Sequence, residues 1–370
     1  MTTLSQESDL ASAFRIERSD APASAEQRAA ELADPKFGTV FTDHMARVTW
    51  TTEQGWHDRR VEKYGPLRLD PATAVLHYAQ EIFEGLKAYR HADGTVWTFR
   101  PEANAARFAR SAHRLALPAL SEADFVSSIA ALVQTDLDWV PDQDGFSLYL
   151  RPFMYASEKF LGVRASREVE YLVIASPAGS YFADGVKPVS IWVAQDYHRS
   201  GAGGTGAAKC GGNYAASLLP QVEAYDKGYE QVAFLDAETN TTLEELGGMN
   251  IFVVRKDGTV QTPELTGTIL EGVTRSSILQ LAADRGHTVE ETRILLSDLL
   301  ADIASGDVVE VFACGTAAVV TPIGKLGGAD FEVTLPEPEG GRLSLAIREE
   351  LTGIQTGAVE DRYGWLTRLA

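Results

Sequence analysis

Alternating apolar and polar residues at Phe146-Ser147-Leu148-Tyr149-Leu150-Arg151 predict a strand with Tyr149 and Arg151 on one face. A more continuously apolar run over 168–176 predicts a second strand. Between 101 and 115 the spacing changes to that of a helix. Ala105, Phe108, Ala112 and Leu115 recur at helical intervals behind Pro101, which suits a first helical turn. Ser121 followed by Asp124 is a capping arrangement ahead of Phe125, Val126 and Ile129. Further on, the pattern predicts a strand over 190–194, a helix over 213–227 closed by Gly228, and strands over 231–235 and 250–255. The last of these turns at Asp257-Gly258. Thr274 and Ser297 read as N-caps of two further helices.

These elements divide the chain. Residues 1–35 are polar and alanine-rich and read as a partly disordered arm. Residues 36–178 mix short strands with helices as a smaller domain, 179–188 form a glycine-containing linker, and 189–370 make a larger second domain. Strands interspersed with helices in both halves predict an α+β or mixed α/β fold instead of a regular doubly wound sheet.

Composition narrows the partners. The 370 residues are enough for two domains, each with its own core, and 45% hydrophobic with 23% charged residues is ordinary for a globular protein. A formal net charge of −19, with no lysine/arginine block, argues against nucleic acid and against an anionic membrane. An anionic substrate would need a few well-placed cations. Cys210 and Cys314 are too few for a disulfide framework, the first residues have no signal-peptide character, and the apolar run over 308–320 is too short to span a bilayer and is broken by Glu310. A cytoplasmic protein is expected. The histidines have no metal-ligand spacing, so no metal is expected.

Candidate chemistry centres on one lysine. Six of the twelve residues over 201–212 are glycine, and Lys209 carries the only reactive charge among them. Glycines let a backbone turn sharply and approach a ligand closely, so a lysine delivered this way is suited to a Schiff base with a carbonyl cofactor. Tyr214, five residues on, is either a hydrogen-bond partner for that cofactor or a core tyrosine at a helix start. Glu245, before Gly247-Gly248 and an apolar strand, either faces a pyridine nitrogen or is a solvated turn residue. Three places suit phosphate: the helix start Gly272-Val273-Thr274-Arg275, the turn Cys314-Gly315-Thr316-Ala317, and Arg107 among apolar neighbours. Each also reads as ordinary structure: an N-cap, a turn and a salt bridge. His77-Tyr78 and Phe83-Glu84-Gly85 either line a pocket or pack in the core.

Taken together, the residues resemble the branched-chain amino-acid aminotransferases, pyridoxal-phosphate enzymes of fold type IV. The matching pieces run from His77-Tyr78 and Phe83-Glu84-Gly85 through Phe99-Arg100-Pro101, Arg107, and Ser147-Leu148-Tyr149-Leu150-Arg151-Pro152. They continue through Lys209-Cys210-Gly211-Gly212-Asn213-Tyr214, Glu245-Leu246-Gly247-Gly248-Met249-Asn250, Gly272-Val273-Thr274-Arg275 and Gly315-Thr316-Ala317 to Glu360-Asp361-Arg362-Tyr363-Gly364-Trp365. The resemblance covers nearly everything from Phe41 onward. It implies a two-domain fold like that of D-amino-acid aminotransferase, with 189–370 binding the cofactor. Lys209 would be the Schiff-base lysine, Tyr214 the partner of the phenolic oxygen, and Glu245 the partner of the pyridine nitrogen. Arg107, Val273, Thr274 and Thr316 would cradle the phosphate. Thr316 and Ala317, with Tyr78 and Tyr149, would hold the substrate carboxylate or line its pocket, and Arg151 would receive the side-chain carboxylate of glutamate. Phe83, Tyr181, Leu161 and Val163 would form apolar walls. The Leu161–Val163 segment comes from the neighbouring subunit in this family, which implies a homodimer with its active site at the interface.

Two departures stand out. Gly248 takes the place of a threonine found in some relatives, and the Cys-x-x-Cys pair that some animal relatives carry after Gly-Thr-Ala is absent from 318–321. The expected activity is reversible, ping-pong transfer of an amino group between leucine, isoleucine or valine and 2-oxoglutarate. Rival readings are a D-amino-acid aminotransferase, an aminodeoxychorismate lyase, or a catalytically silent scaffold that binds the cofactor.

Overall fold

The computed structural model describes residues 10–179, 185–337 and 342–370. The chain forms two compact units, one of residues up to Ala183 together with Gly353–Ala370, the other Asp184–Thr352. The C-terminal end had been expected in the second domain. It belongs to the first because Leu366–Arg368 pairs antiparallel with Val96–Phe99, which also makes the first unit the longer one. Tyr181 and the middle of the expected linker lie outside the described residues.

The first unit is built on a nine-stranded sheet among the described residues. Its order is Arg15–Ile16, Gly55–Lys63, His44–Thr51, Glu168–Ala178, Ser147–Ala156, Leu86–Arg90, Val96–Phe99 and Leu366–Arg368, with Glu81–Phe83 also paired to Ser147–Ala156. The expected strand over 168–176 extends two residues further, because its ladder with Ser147–Ala156 runs through Ala178 to Ser147. The helices Pro101–Arg114 and Glu122–Thr135 begin as expected, with Pro101 in the first turn and the Ser121 side chain accepting from the Asp124 N–H. Every residue over 125–133 is buried, so this helix has lost the polar stripe of a surface helix. Phe108, Phe125 and Tyr171 meet at its centre, with ring centroids 5.5 and 5.6 Å from Phe108, and the Tyr171 hydroxyl pairs with the Ser128 hydroxyl at 2.9 Å. A buried phenol needs such a partner.

From residue 10 onward the described part of the arm carries regular structure that its composition does not predict. Arg15–Ile16 pairs parallel with Gly55–Lys63, and Ala25–Ala33 is a helix closed by a reciprocal capping box between Ser24 and Gln27. The Ser19 N–H donates to His44 Nε2 at 2.8 Å, and the other ring nitrogen lies 2.5 Å from Asp136, so side chains of the unit hold the arm.

The second unit carries its own nine-stranded sheet among the described residues. Its order is Leu243–Leu246, Gln231–Leu235, Val189–Ala194, Val319–Gly327, Val308–Gly315, Asn250–Arg255, Val260–Pro263 and Val289–Thr292, with Glu332–Thr334 also paired to Val319–Gly327. Val189–Ala194 runs parallel to both neighbours, and the 308–327 hairpin with Asn250–Arg255 is antiparallel, so the sheet is mixed. Ile191, Val193, Leu235, Val253, Val311 and Ile323 form one face of its core.

Two expected caps are corrected. The helix Val273–Asp284 begins after Gly272, leaving Thr274 inside its first turn. The helix Leu296–Ser305 begins after Leu295, not at Ser297. There the start is set by tertiary pairing: the Leu296 N–H donates to the Thr241 carbonyl and the Leu243 N–H to the Ile294 carbonyl. A strand contact therefore does what a side-chain cap would have done.

Candidate active site

The glycine loop is shaped by what it touches. A Cβ on Gly206 would lie 2.1 Å from the Thr268 carbonyl oxygen, so only glycine admits this approach. Asn213 ties the loop to the following helix, Gly211–Asp226: its Nδ2 donates to the carbonyls of Thr205 and Ala208 at 2.8 Å, and its Oδ1 accepts from the Thr205 hydroxyl at 2.7 Å. Lys209 is thereby delivered at the helix entrance, half-buried, and its Nζ donates to the Tyr214 hydroxyl at 2.6 Å. Gly206→Ala is expected to destabilise the protein by about 1–3 kcal/mol, since the added methyl must displace the 268 turn. Chemical denaturation measures this, and an unchanged midpoint would contradict the close approach.

Glu245 stands on the strand Leu243–Leu246 and is buried. Its Oε1 lies 2.8 Å from Arg199 Nη1 and accepts from the Leu270 N–H at 2.9 Å, and Asn250 Nδ2 reaches its Oε2 at 3.4 Å. Burial pushes the carboxyl up to about 7, and Arg199, the Leu270 N–H and Lys209 pull against that rise. Arg199 is itself buried. The same Nη1 also donates to the carbonyls of Gly206 at 3.2 Å and Thr268 at 3.3 Å, so one guanidinium joins the lysine loop, the 268 turn and Glu245.

The remaining residues expected in the second unit gather on the same end of its sheet. Asn250 also donates to the Leu270 carbonyl at 3.0 Å, and a Cβ on Gly272 would lie 2.1 Å from Asn250 Oδ1. The start of the helix at Val273 and Thr274 therefore stands beside the Glu245 network. Asn250 pairs in register with Cys314, which brings Gly315 next to Met249 and Gly248, with Thr316 and Ala317 following it in the chain. A Cβ on Gly248 would meet the Tyr214 ring at an ordinary 3.7 Å, so the glycine is not sterically required there. Cys314 is fully buried, which pushes its thiol up, and Cys210 is buried as well.

A second group lies in the first unit. Arg107 binds Glu84 through two edges, Nε to Oε1 and Nη2 to Oε2, each at 2.7 Å, and Asn104 Nδ2 adds a 2.8 Å bond to Oε2. All three side chains are buried. The bidentate pair fixes the plane of the guanidinium. Nearby in the sheet, Arg151 Nη2 donates to the Tyr149 hydroxyl at 2.9 Å, and its guanidinium lies 4.7 Å from the Phe83 ring centre. The shared face predicted for Tyr149 and Arg151 is what makes this bond possible. The Tyr149 hydroxyl sits over Gly85, where a Cβ would be 2.2 Å away. Arg151 Nε is buried without a hydrogen-bond partner among the described residues. The Tyr78 hydroxyl binds the Leu161 carbonyl, and Leu161 and Val163 are 58% and 89% exposed.

Arg199 and Phe37 were not picked out from the sequence, and Glu84 and Asn250 were named only within motifs, without a role of their own. Phe37 meets the Tyr149 ring edge-on at 4.9 Å. Arg199 stands 46 positions from Glu245 with no local spacing to connect them. Its only signal is a charged residue next to the glycine loop.

The second unit thus offers an amine beside a phenol, a buried carboxylate and a helix N-terminus at one sheet end. That donor set suits a flat ring bearing a carbonyl, a hydroxyl, a basic nitrogen and an anionic group.

The chain matches the amino-transferase class IV family over residues 81–326. It is 51% identical to a branched-chain-amino-acid aminotransferase of Mycolicibacterium smegmatis, covering 96% of this chain and 98% of that one. Among solved structures it resembles the branched-chain aminotransferase of Thermoproteus uzoniensis with norvaline, at TM-score 0.72 and 27% identity over 88% of this chain and 100% of that one. It also resembles the T.th. branched-chain amino acid aminotransferase complexed with N-(5'-phosphopyridoxyl)-L-glutamate, at TM-score 0.70 and 28% identity over 88% and 99%.

Proposed function

The chain belongs to the amino-transferase class IV family, among its branched-chain amino-acid aminotransferases, and we propose that it moves an amino group reversibly between leucine, isoleucine or valine and 2-oxoglutarate with pyridoxal phosphate. The observation that carries this reading is the Lys209–Tyr214 pair set beside the buried Arg199–Glu245 pair. The residues present fit the cofactor. When bound, pyridoxal phosphate supplies a carbonyl that condenses with amines and a ring that withdraws electrons.

Each residue then has a task. Lys209 Nζ is the amine that holds the cofactor and, once released, accepts and returns the α-proton. Tyr214 keeps that amine in place through its 2.6 Å bond. Glu245 would face the pyridine nitrogen and favour its protonated form, its buried carboxyl raised to about 7 in the cofactor-free protein. Amides at Val273, Thr274 and Thr316, with Arg107, would bind the phosphate. Tyr78, Tyr149 and Ala317 would meet the α-carboxylate. Phe83, Leu161 and Val163 would form the apolar wall. The buried, unpartnered Nε of Arg151 supports its role as receiver of the second carboxylate of glutamate.

A homodimer that completes the active site belongs to the proposal. The high exposure of Leu161 and Val163 supports it, because two such apolar side chains on one loop gain from burial by a second copy. No described helix is long and apolar enough to cross a membrane. Two buried free thiols are in keeping with a cytoplasmic enzyme.

A donor and acceptor screen tests the reading. L-leucine, L-isoleucine and L-valine with 2-oxoglutarate are expected to turn over well above D-alanine, and a preference for D-alanine would overturn it. Arg151→Gln is expected to raise KM for 2-oxoglutarate by ~10–100-fold with a smaller change for leucine. Equal changes for both substrates would remove Arg151 from carboxylate recognition.

A further inference from the structure

The turn Thr316-Ala317-Ala318 joins the strands Val308–Gly315 and Val319–Gly327, and Gly315 pairs in register with Val319 across it. Val319 stands there with φ at +62° and is buried. Among the six described non-glycine residues with positive φ, it alone is β-branched. A branched Cβ makes the left-handed backbone costly, and such a residue persists only where its surroundings hold it.

Arg348, on the helix Leu343–Thr356, reaches the backbone on both sides of it. Its Nη1 donates to the carbonyls of Ala318 and Val320, the second at 3.0 Å, so one nitrogen bonds the two carbonyls that flank Val319. Along an extended strand alternate carbonyls stand roughly 6.6 Å apart, too far for one nitrogen to bond both. The pair of bonds and the left-handed residue therefore go together, since the bonds need a chain curled at Val319. We propose that Arg348 is a positioning residue, which clamps Val319 in the left-handed conformation and so fixes how Thr316 and Ala317 face the phosphate and the substrate carboxylate. The proposal rests on the assignment of that turn to those two groups under the proposed function. Arg348 acts through the backbone, and the cost of the strained residue is met on folding instead of on binding.

Retention of pyridoxal phosphate tests the clamp without any reading of turnover. The full-length enzyme is dialysed against graded concentrations of the cofactor, and its occupancy is read by absorbance. Arg348→Met is expected to raise Kd by ~5–100-fold, because binding must then curl the released turn again. Pyridoxal, which lacks the phosphate, should bind the native enzyme and the variant alike. In the Arg348→Met background, Val319→Gly is expected to bring Kd back to within ~3-fold of the native value, since glycine takes positive φ without a clamp. An unchanged Kd in Arg348→Met overturns the proposal, as does an equal loss for pyridoxal or a loss that Val319→Gly leaves in place. If Arg348→Met does not fold, the double variant decides: native-like retention is expected, and weak retention or failure to fold overturns the clamp. A native enzyme that binds no pyridoxal phosphate would overturn the proposed function, and the clamp with it.

Discussion

Lys209→Ala is expected to lose at least ~10⁴-fold in kcat with every amino donor, while the fold is kept. Lys209 does two things in the proposed reaction: it holds the cofactor and it moves the α-proton. Neither Tyr214 nor Glu245 has a free amine to substitute for it. The loop that delivers Lys209 is held by Asn213 and Arg199 through backbone carbonyls, so truncating the lysine leaves those bonds in place. Circular dichroism and melting should therefore change little while steady-state turnover collapses. Residual activity within ~10-fold of the native enzyme would put the chemistry elsewhere.

Glu245→Gln is expected to lower kcat by ~10²–10³-fold, because a neutral amide cannot hold a proton at the pyridine nitrogen. Its effect on the cofactor-free protein should run the other way. Burial raises the folded-state pKa of Glu245 from 4.5 to about 7, so the folded protein keeps a proton that the unfolded chain has released. The associated stability is complete below pH 4.5 and is lost as pH rises through about 7, a fall of roughly 3 kcal/mol across that window. Glutamine has nearly the shape of the protonated acid at every pH. The variant apoprotein should match the native one near pH 4.5 and exceed it in stability near pH 8. Denaturant titrations at the two pH values measure this. A variant less stable than the native apoprotein at pH 8 would mean that Arg199 already holds Glu245 ionised. Such an exchange of activity for stability is expected where a carboxylate is buried for function.

How much of this was legible in the sequence depends on distance along the chain. Lys209 and Tyr214 were readable because five residues across a helix entrance bring them together whatever the rest of the fold does. Tyr149 and Arg151 were readable for the same reason, since alternate residues of a strand share a face. Arg107 was read as a buried cation in need of an anion. Its partner Glu84 lies 23 residues earlier and is brought to it only by the packing of the helix Pro101–Arg114 near the strand Glu81–Phe83. Arg199 was invisible because its three acceptors, Gly206, Glu245 and Thr268, come from separate segments. The return of Leu366–Arg368 to the first sheet was equally hidden, since strand pairing at that separation leaves no local pattern. Thr274 and Ser297 misled because a hydroxyl near a helix start is a weak signal when a glycine turn or a strand contact sets the boundary. In the arm the reverse held: Ser24 and Gln27 form a capping box within a composition that suggested disorder.

In the proposed reaction Lys209 is the amine to which pyridoxal phosphate is joined. Borohydride reduction of the purified enzyme, followed by protease digestion and mass spectrometry, tests it at the level of a single atom. A phosphopyridoxyl group is expected on the peptide containing Lys209, and none in Lys209→Ala. A phosphopyridoxyl group on another lysine, or full retention of the modification in Lys209→Ala, would contradict it.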